Sequence, residues 1–385
     1  MDTTTRRPRP ALYHPKIPLT LLLLPPLLLA VLTVTTLFHI STPNLYMLYS
    51  QCHARARLPF ITHSPLLPSF IATPLCYTAS FFTSSLASFR TLGPMAVVLA
   101  FVAGLLTVST VESARICNAP AVLIAYPAGL WLVFDMVGGA VVWELVILPA
   151  FFKRGREIVA VRWSGDRDGE AGREDPLFGE AMRHLRRMAE IVAIPVAVAV
   201  GFVVPAVVML VTGWAGAVLV WLFFPVWVAG VRAAVRSAVM AVLRRDGEGG
   251  RSWEGSFHLE GSRVALVGMY ALPVLCSVVA QGLLVWSVFV HGDDRKEMTR
   301  ATSGFVFVDM AFVALTVLYW MVVEAGWKVA AVMAAASTVL GPGAGVCVGW
   351  VYRERMVDLD RSVTVVAVGA RSGDASPTED TPLLR

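Results

Sequence analysis

Apolar residues in this chain come in unbroken runs, and the length of those runs limits what it can fold into. Eight stretches reach the roughly 18 residues at which a segment becomes a candidate membrane span. They are Leu19–Ile40, Pro94–Val111, Leu130–Phe152, Met188–Thr212, Trp214–Val231, Val264–Val290, Gly304–Val323 and Trp327–Val351. Lipid offers no partner to backbone N–H and C=O groups, so a spanning segment must be a helix or part of a closed barrel. The runs are too long and alternate too little for barrel strands. The expected fold is therefore all-α: a polytopic transmembrane helical bundle of about eight spans. Only 15% of the residues are charged, against about a quarter in a soluble domain.

Three regions follow from this pattern. Residues 1–92 hold a basic start (Arg6, Arg7, Arg9, Lys16), a first span and a Ser/Thr/Pro-rich stretch. The first run lacks a clean cleavage site and reads as an uncleaved span. Pro59, Pro65, Pro68 and Pro74 punctuate the stretch Leu58–Phe82, which reads as a lumenal or interfacial loop, because prolines that dense break a helix. Residues 93–352 form the bundle, and 353–385 read as a disordered tail. Nine Arg or Lys residues lie between positions 153 and 187. The positive-inside rule puts that loop, and the loop 232–263, in the cytosol. Counting eight spans onward sends the tail to the other side. Yet Glu379-Asp-Thr-Pro-Leu-Leu384 matches an acidic-dileucine sorting signal, which works only in the cytosol.

Charge and metal chemistry exclude several classes. The net charge of +5 sits in loops, with no aromatic-basic stretch of the kind that binds nucleic acid. The five cysteines are scattered and form no CxxC, so a disulfide framework or a zinc site is not expected. The seven histidines form no HxxH, HxxxH or HExxH. No metal and no cofactor is expected. Gly341, Gly345 and Gly349, spaced by four, read as small-residue packing against a neighbouring helix.

Ionisable residues inside apolar runs are the informative positions, because each is costly there and usually faces the bundle interior. Asp135, Glu144, Asp309 and Glu324 qualify, and Glu112 sits at a span end. On one straight helix, Asp135 and Glu144 would point in opposite directions. Asp309 and Glu324 would lie about 22 Å apart along theirs. A catalytic pair must then combine different spans. The competing reading of each acid is a packing hydrogen bond. Tyr126, Trp131 and Trp143 flank Asp135 and Glu144, and aromatic faces attract cations.

The elbow Glu112-Ser-Ala-Arg-Ile-Cys-Asn118-Ala-Pro120, followed by Tyr126-Pro-Ala-Gly-Leu-Trp-Leu-Val-Phe-Asp135-Met-Val-Gly-Gly-Ala-Val-Val-Trp-Glu144, carries a resemblance. It resembles the fungal membrane-bound terpene cyclases of the ascofuranone type, with relatives in indole-diterpene clusters. The similarity in length and hydropathy covers residues 93 to 350. The resemblance implies an enzyme of secondary metabolism, of isomerase or lyase type, in the endoplasmic reticulum membrane. It implies a lipophilic substrate, a prenyl-aryl or prenyl-indole epoxide. It also implies pathway partners such as an epoxidase and a prenyltransferase. Epoxide opening needs a proton donor, and a carboxyl group in an apolar site stays protonated near neutral pH. Asp135 is the first candidate, with Glu112 and Glu144 next and Asp309 and Glu324 as secondary acids. Trp131, Trp143 and Tyr126 are the candidates for cation stabilisation. The alternatives are a polytopic transporter, with the acids as ion sites, and a non-catalytic membrane protein.

Overall fold

The structure, a computed structural model, describes residues 17–40, 69–164, 184–245, 257–259, 261–290 and 292–355. The acidic-dileucine match, the low-complexity stretch around 165–176 and most of the second glycine-rich loop lie outside them. The fold is all-α, with no strand among the described residues. Six helices are long and apolar enough to cross a membrane. The helices in chain order are α1 (Leu19–Ile40), α2 (Ser69–Ser85), α3 (Phe89–Ala114), α4 (Val122–Ala125) and α5 (Ala128–Val137). A helix α6 then joins Gly139–Val142, a π turn Trp143–Ile147 and Leu148–Ser164. In the same way α7 joins Glu190–Val198, a π turn Ala199–Val203 and Val204–Thr212. After these come α8 (Ala215–Leu222), α9 (Phe224–Arg245), α10 (Arg263–Val290), α11 (Glu297–Ala325), α12 (Trp327–Leu340) and α13 (342–355).

α3 is the central post: 78% of its apolar window is buried, against 22% for α1 and for α10. Small residues let neighbours close on it. Gly93 meets the backbone of Leu284, and Gly104 meets that of Gly343. The outer helices expose leucine and valine freely, as at Leu24, Leu28 and Val31 on α1 and Val264, Val267 and Leu275 on α10. An apolar belt of that extent marks a surface that meets something other than water.

One end of the bundle carries the arginines and is called the basic face below. Glu190, Arg232 and Arg236 meet there, and Arg232 also reaches Ser113 at the end of α3. Short bridges tie Arg115 to Leu185 and Leu185 to Phe257 at the same end. The opposite face holds Ser88 and Asp294.

Two of the eight expected spans are not single long helices but pairs of helices that reverse inside the bundle. α5 enters from the basic face and stops at Gly138, whose φ of 123° ends the helix. α6 then runs back beside it. Glu144 meets Thr316, Phe151 stacks on Trp320, and Arg154 reaches the Cys117 carbonyl at the basic face. α12 and α13 repeat the device around Gly341, with φ 91°. Gly345 and Gly349 lie against Met333 and Ser337 of the antiparallel partner, and Arg353 returns to Glu112 and Glu324. Both runs are re-entrant helical hairpins. Irregular backbone at such depth is tolerated only when it is buried in protein or lines a cavity. The second hairpin also changes the count: the chain leaves residue 355 on the basic face. The tail itself, from residue 356 on, lies outside the described residues.

Two further expectations are corrected. The proline-rich stretch contains a real helix, α2, which starts just after Pro68. Pro74 alone falls inside it, so only one ladder bond is lost. Cys76 is disulfide-bonded, whereas Cys117, Cys276 and Cys347 form no disulfide.

Candidate functional site

The first hairpin sets the site. A helix broken in mid-bundle leaves unpaired N–H groups at the start of its second half. Asp309, near the middle of α11, takes them: Gly139 N–H donates to Oδ2 at 2.9 Å and Ala140 N–H to Oδ1 at 3.0 Å. This pairing fixes the depth of the hairpin tip against α11. Gly139 is packed on Phe134 and Met310, with no room for a side chain.

Beside the tip lies an apolar cavity of about 610 Å³. α1, α2, α3, α5, α8 and α11 all contribute to its wall. Tyr77, Phe81, Phe82, Phe134, Trp221 and Phe305 form an aromatic lining, with Met95, Leu99 and Val102 between them. Phe81 meets Phe82 and Phe305 edge-on at ring separations of 5.5 and 5.6 Å. Among the described residues two carboxyl groups line this space, Asp135 and Asp309. Asp309 is committed to the backbone. Asp135 is half-buried, yet its Oδ2 is wholly enclosed and finds no hydrogen-bond partner among the described residues. Buried polar atoms almost always have partners, so an exception asks for an explanation.

The other sequence candidates lie elsewhere. Glu144 is buried in the π turn and accepts the Thr33 hydroxyl at 2.9 Å and the Thr316 hydroxyl at 3.4 Å. Glu112 belongs to a charged cluster at the basic face. It accepts Arg353 at 2.8 Å, Arg115 at 3.1 Å and the Asn118 amide at 3.1 Å. Glu354 joins through Arg115, and Glu324 through Arg353. Trp131 is buried, donates to Ser109 at 3.0 Å, and touches Trp143, which in turn meets Trp320. Neither indole lines the cavity. Tyr126 is 74% exposed on the basic face. Asp135 and Glu144 thus do not share one straight helix; the chain reverses between them.

Sequence reasoning missed the aromatic wall of α2, because the prolines argued against a helix there. The alternation of Tyr77, Phe81 and Phe82 at helical spacing was the available signal. Among the described residues no His, Cys, Asp or Glu cluster has the makings of a metal site. The fold and cavity define a class: an α-helical, apolar-surfaced bundle with re-entrant hairpins around an acid-bearing internal space. Comparison with protein-family models, with curated proteins and with solved structures finds no match.

Proposed function

We propose that this protein is an integral membrane terpene cyclase that opens an epoxide on a prenyl-aryl or prenyl-indole substrate and closes rings from the resulting cation. The observation that carries the reading is the enclosed, unpartnered carboxyl oxygen of Asp135 in an apolar, aromatic-walled cavity. A volume of about 610 Å³ falls in the range of small-molecule pockets, roughly 300–1,000 Å³. A lipophilic substrate reaches such a site from the surrounding lipid.

The steps balance without a co-reactant. The Asp135 carboxyl transfers its proton to the epoxide oxygen, and the bond from that oxygen to the more substituted carbon breaks. The π electrons of a neighbouring alkene attack the carbon left positive, forming a ring bond and moving the charge along the chain. The last cation loses a proton to a base or is captured by a hydroxyl of the substrate. Aromatic faces attract a passing cation by about 0.5–2 kcal/mol each, and Tyr77, Phe81 and Trp221 stand where that counts. Asp309, fixed by two N–H donors, holds its acceptor oxygens at the cavity edge.

The test uses membranes containing the full chain and an epoxyprenyl-aryl substrate. Asp135→Asn should lower turnover by about 10²–10⁴, the usual worth of a positioned general acid, with expression unchanged. Glu144→Gln should leave turnover within a few-fold. Full turnover by the Asp135 variant would sink the assignment.

A transport reading has one specific observation in its favour. Broken helices whose half-helix N-termini meet a charge near mid-membrane are a recurring way to build ion and substrate sites. Here the α6 N-terminus meets Asp309. Proton-coupled flux in proteoliposomes, lost in Asp309→Asn and kept in Asp135→Asn, would favour that reading over the cyclase.

A further inference from the structure

A second recess, of about 420 Å³, lies on the other side of α5 and opens at the basic face. Among the described residues its rim carries Arg186, Arg187, Arg232 and Arg236, against one carboxylate, Glu190. Glu190 is buried and accepts Arg232 at 2.8 Å and Arg236 at 3.2 Å. One negative charge thus faces two guanidiniums, each with N–H groups to spare. Arg186 and Arg187 are exposed and form no ion pair among the described residues. Arg115, also at the wall, is already matched by Glu112 and Glu354. The rim therefore holds a surplus of positive charge. The floor is apolar, with Leu106, Trp131 and Val228.

We infer that this recess binds a phosphate-bearing anion, with the phosphate oxygens on the rim arginines and any attached chain along the apolar floor. Guanidinium groups match phosphate geometry bidentately. Basic pockets between membrane helices on the arginine-rich side suit lipid headgroups. Arg232 has the additional feature of a fixed orientation: Glu190 and Ser113, at 2.8 Å each, hold two of its nitrogens. The recess is separate from the acid cavity, so the inference stands whether or not the cyclase reading does.

The experiment places the full chain in phosphatidylcholine nanodiscs, with or without phosphatidic acid. Lipid retained by the protein is counted by native mass spectrometry. Phosphatidic acid should be enriched over phosphatidylcholine, and the Arg186→Gln/Arg187→Gln double variant should weaken that enrichment at least tenfold. Neither side chain has a packing role to lose. A charge-matched control, Lys153→Gln/Lys328→Gln, lies off the recess and should keep it. Glycerol 3-phosphate and inorganic phosphate, added to phosphatidylcholine discs, distinguish the sources. A thermal shift with either one assigns a soluble phosphate; enrichment of the lipid without such a shift assigns a headgroup. Equal retention of the two lipids with no shift, or equal losses in the two double variants, overturns the site.

Discussion

The two re-entrant hairpins share one device and use it differently. Each enters from the basic face, reverses at a positive-φ glycine and returns. At the first tip, a Cβ on Gly138 would meet nothing nearer than Asp309 Oδ1, at 3.6 Å, and a cavity lies alongside. At the second tip, Gly341 is pressed against Ser277, whose hydroxyl donates to the Leu340 carbonyl at 3.1 Å, and Gly343 lies on the backbone of Ala100. Their open ends differ in the opposite sense. The second hairpin is clamped at the basic face by Arg353 within a buried cluster of two arginines and three glutamates. The first is held there by Arg154 on one carbonyl. A tightly packed, clamped hairpin is a structural part. One whose tip borders a cavity, with an unpartnered acid nearby, is where function has room to act.

The sharpest way to break that contrast is to unclamp the second hairpin. Arg353→Leu leaves Glu112, Glu324 and Glu354 facing Arg115 alone. Removing one partner from a buried ion cluster costs about 3–5 kcal/mol, so the variant should lose much of its thermal stability in detergent. Arg154→Leu, the matching change on the first hairpin, removes one hydrogen bond and a half-exposed pair with Glu157. About 1–2 kcal/mol is expected there. Equal losses would show that the charged cluster is not a clamp.

The tips provide the next comparison. Alanine at either glycine strains the backbone by about 1–3 kcal/mol. At Gly341 it must also push into Ser277, whose carbonyl lies 3.0 Å from the new Cβ. Gly341→Ala should therefore be the less stable of the two by a further ~1–3 kcal/mol, the usual cost of overpacking. Thermal midpoints of the two variants, side by side, decide it. A smaller effect is expected from Asp309→Asn. The amide oxygen still accepts one of the two N–H groups, while its NH₂ confronts the other. A lost cap is worth about 1 kcal/mol, and hydrogen exchange at Gly139 and Ala140 should quicken before that of α11 does.

Much of this arrangement was legible in the sequence, and the part that was not has a physical reason. Run length alone identified the six long apolar helices, and the positive-inside count identified one end as basic. Run length cannot tell a span from a hairpin, because both bury apolar side chains and a hairpin of two short helices is as long as one crossing helix. The only local signs were Gly138-Gly139 and Gly341-Pro342-Gly343. Those glycines read equally well as packing residues, which Gly345 and Gly349 are. Asp135 stood out as a buried acid. That it stays unpartnered while Glu144 and Asp309 do not depends on Thr33, Thr316 and the α6 N-terminus, residues far away in sequence. The aromatic lining depended on α2, which the prolines concealed.

The opposite face supplies the mildest contrast with the clamped end. One tie there is a carboxylate: Asp294 accepts the Ser88 hydroxyl and, at 3.3 Å, the Phe89 N–H at the start of α3. The Ser88 hydrogen bond holds the Asp294 carboxyl below the usual carboxylate range, and the backbone bonds add to it. A carboxyl depressed in the folded state contributes stability above its unfolded value, near 3.9, and that contribution is lost as pH falls through the folded one. Asp294 is exposed, so the effect is small. Asp294→Asn should lower the thermal midpoint slightly at pH 7, and the gap to the parent should close as the pH is taken below about 4. A gap that persists in acid would mean that the side chain matters there through packing, and that the opposite face is closed by something other than this carboxylate.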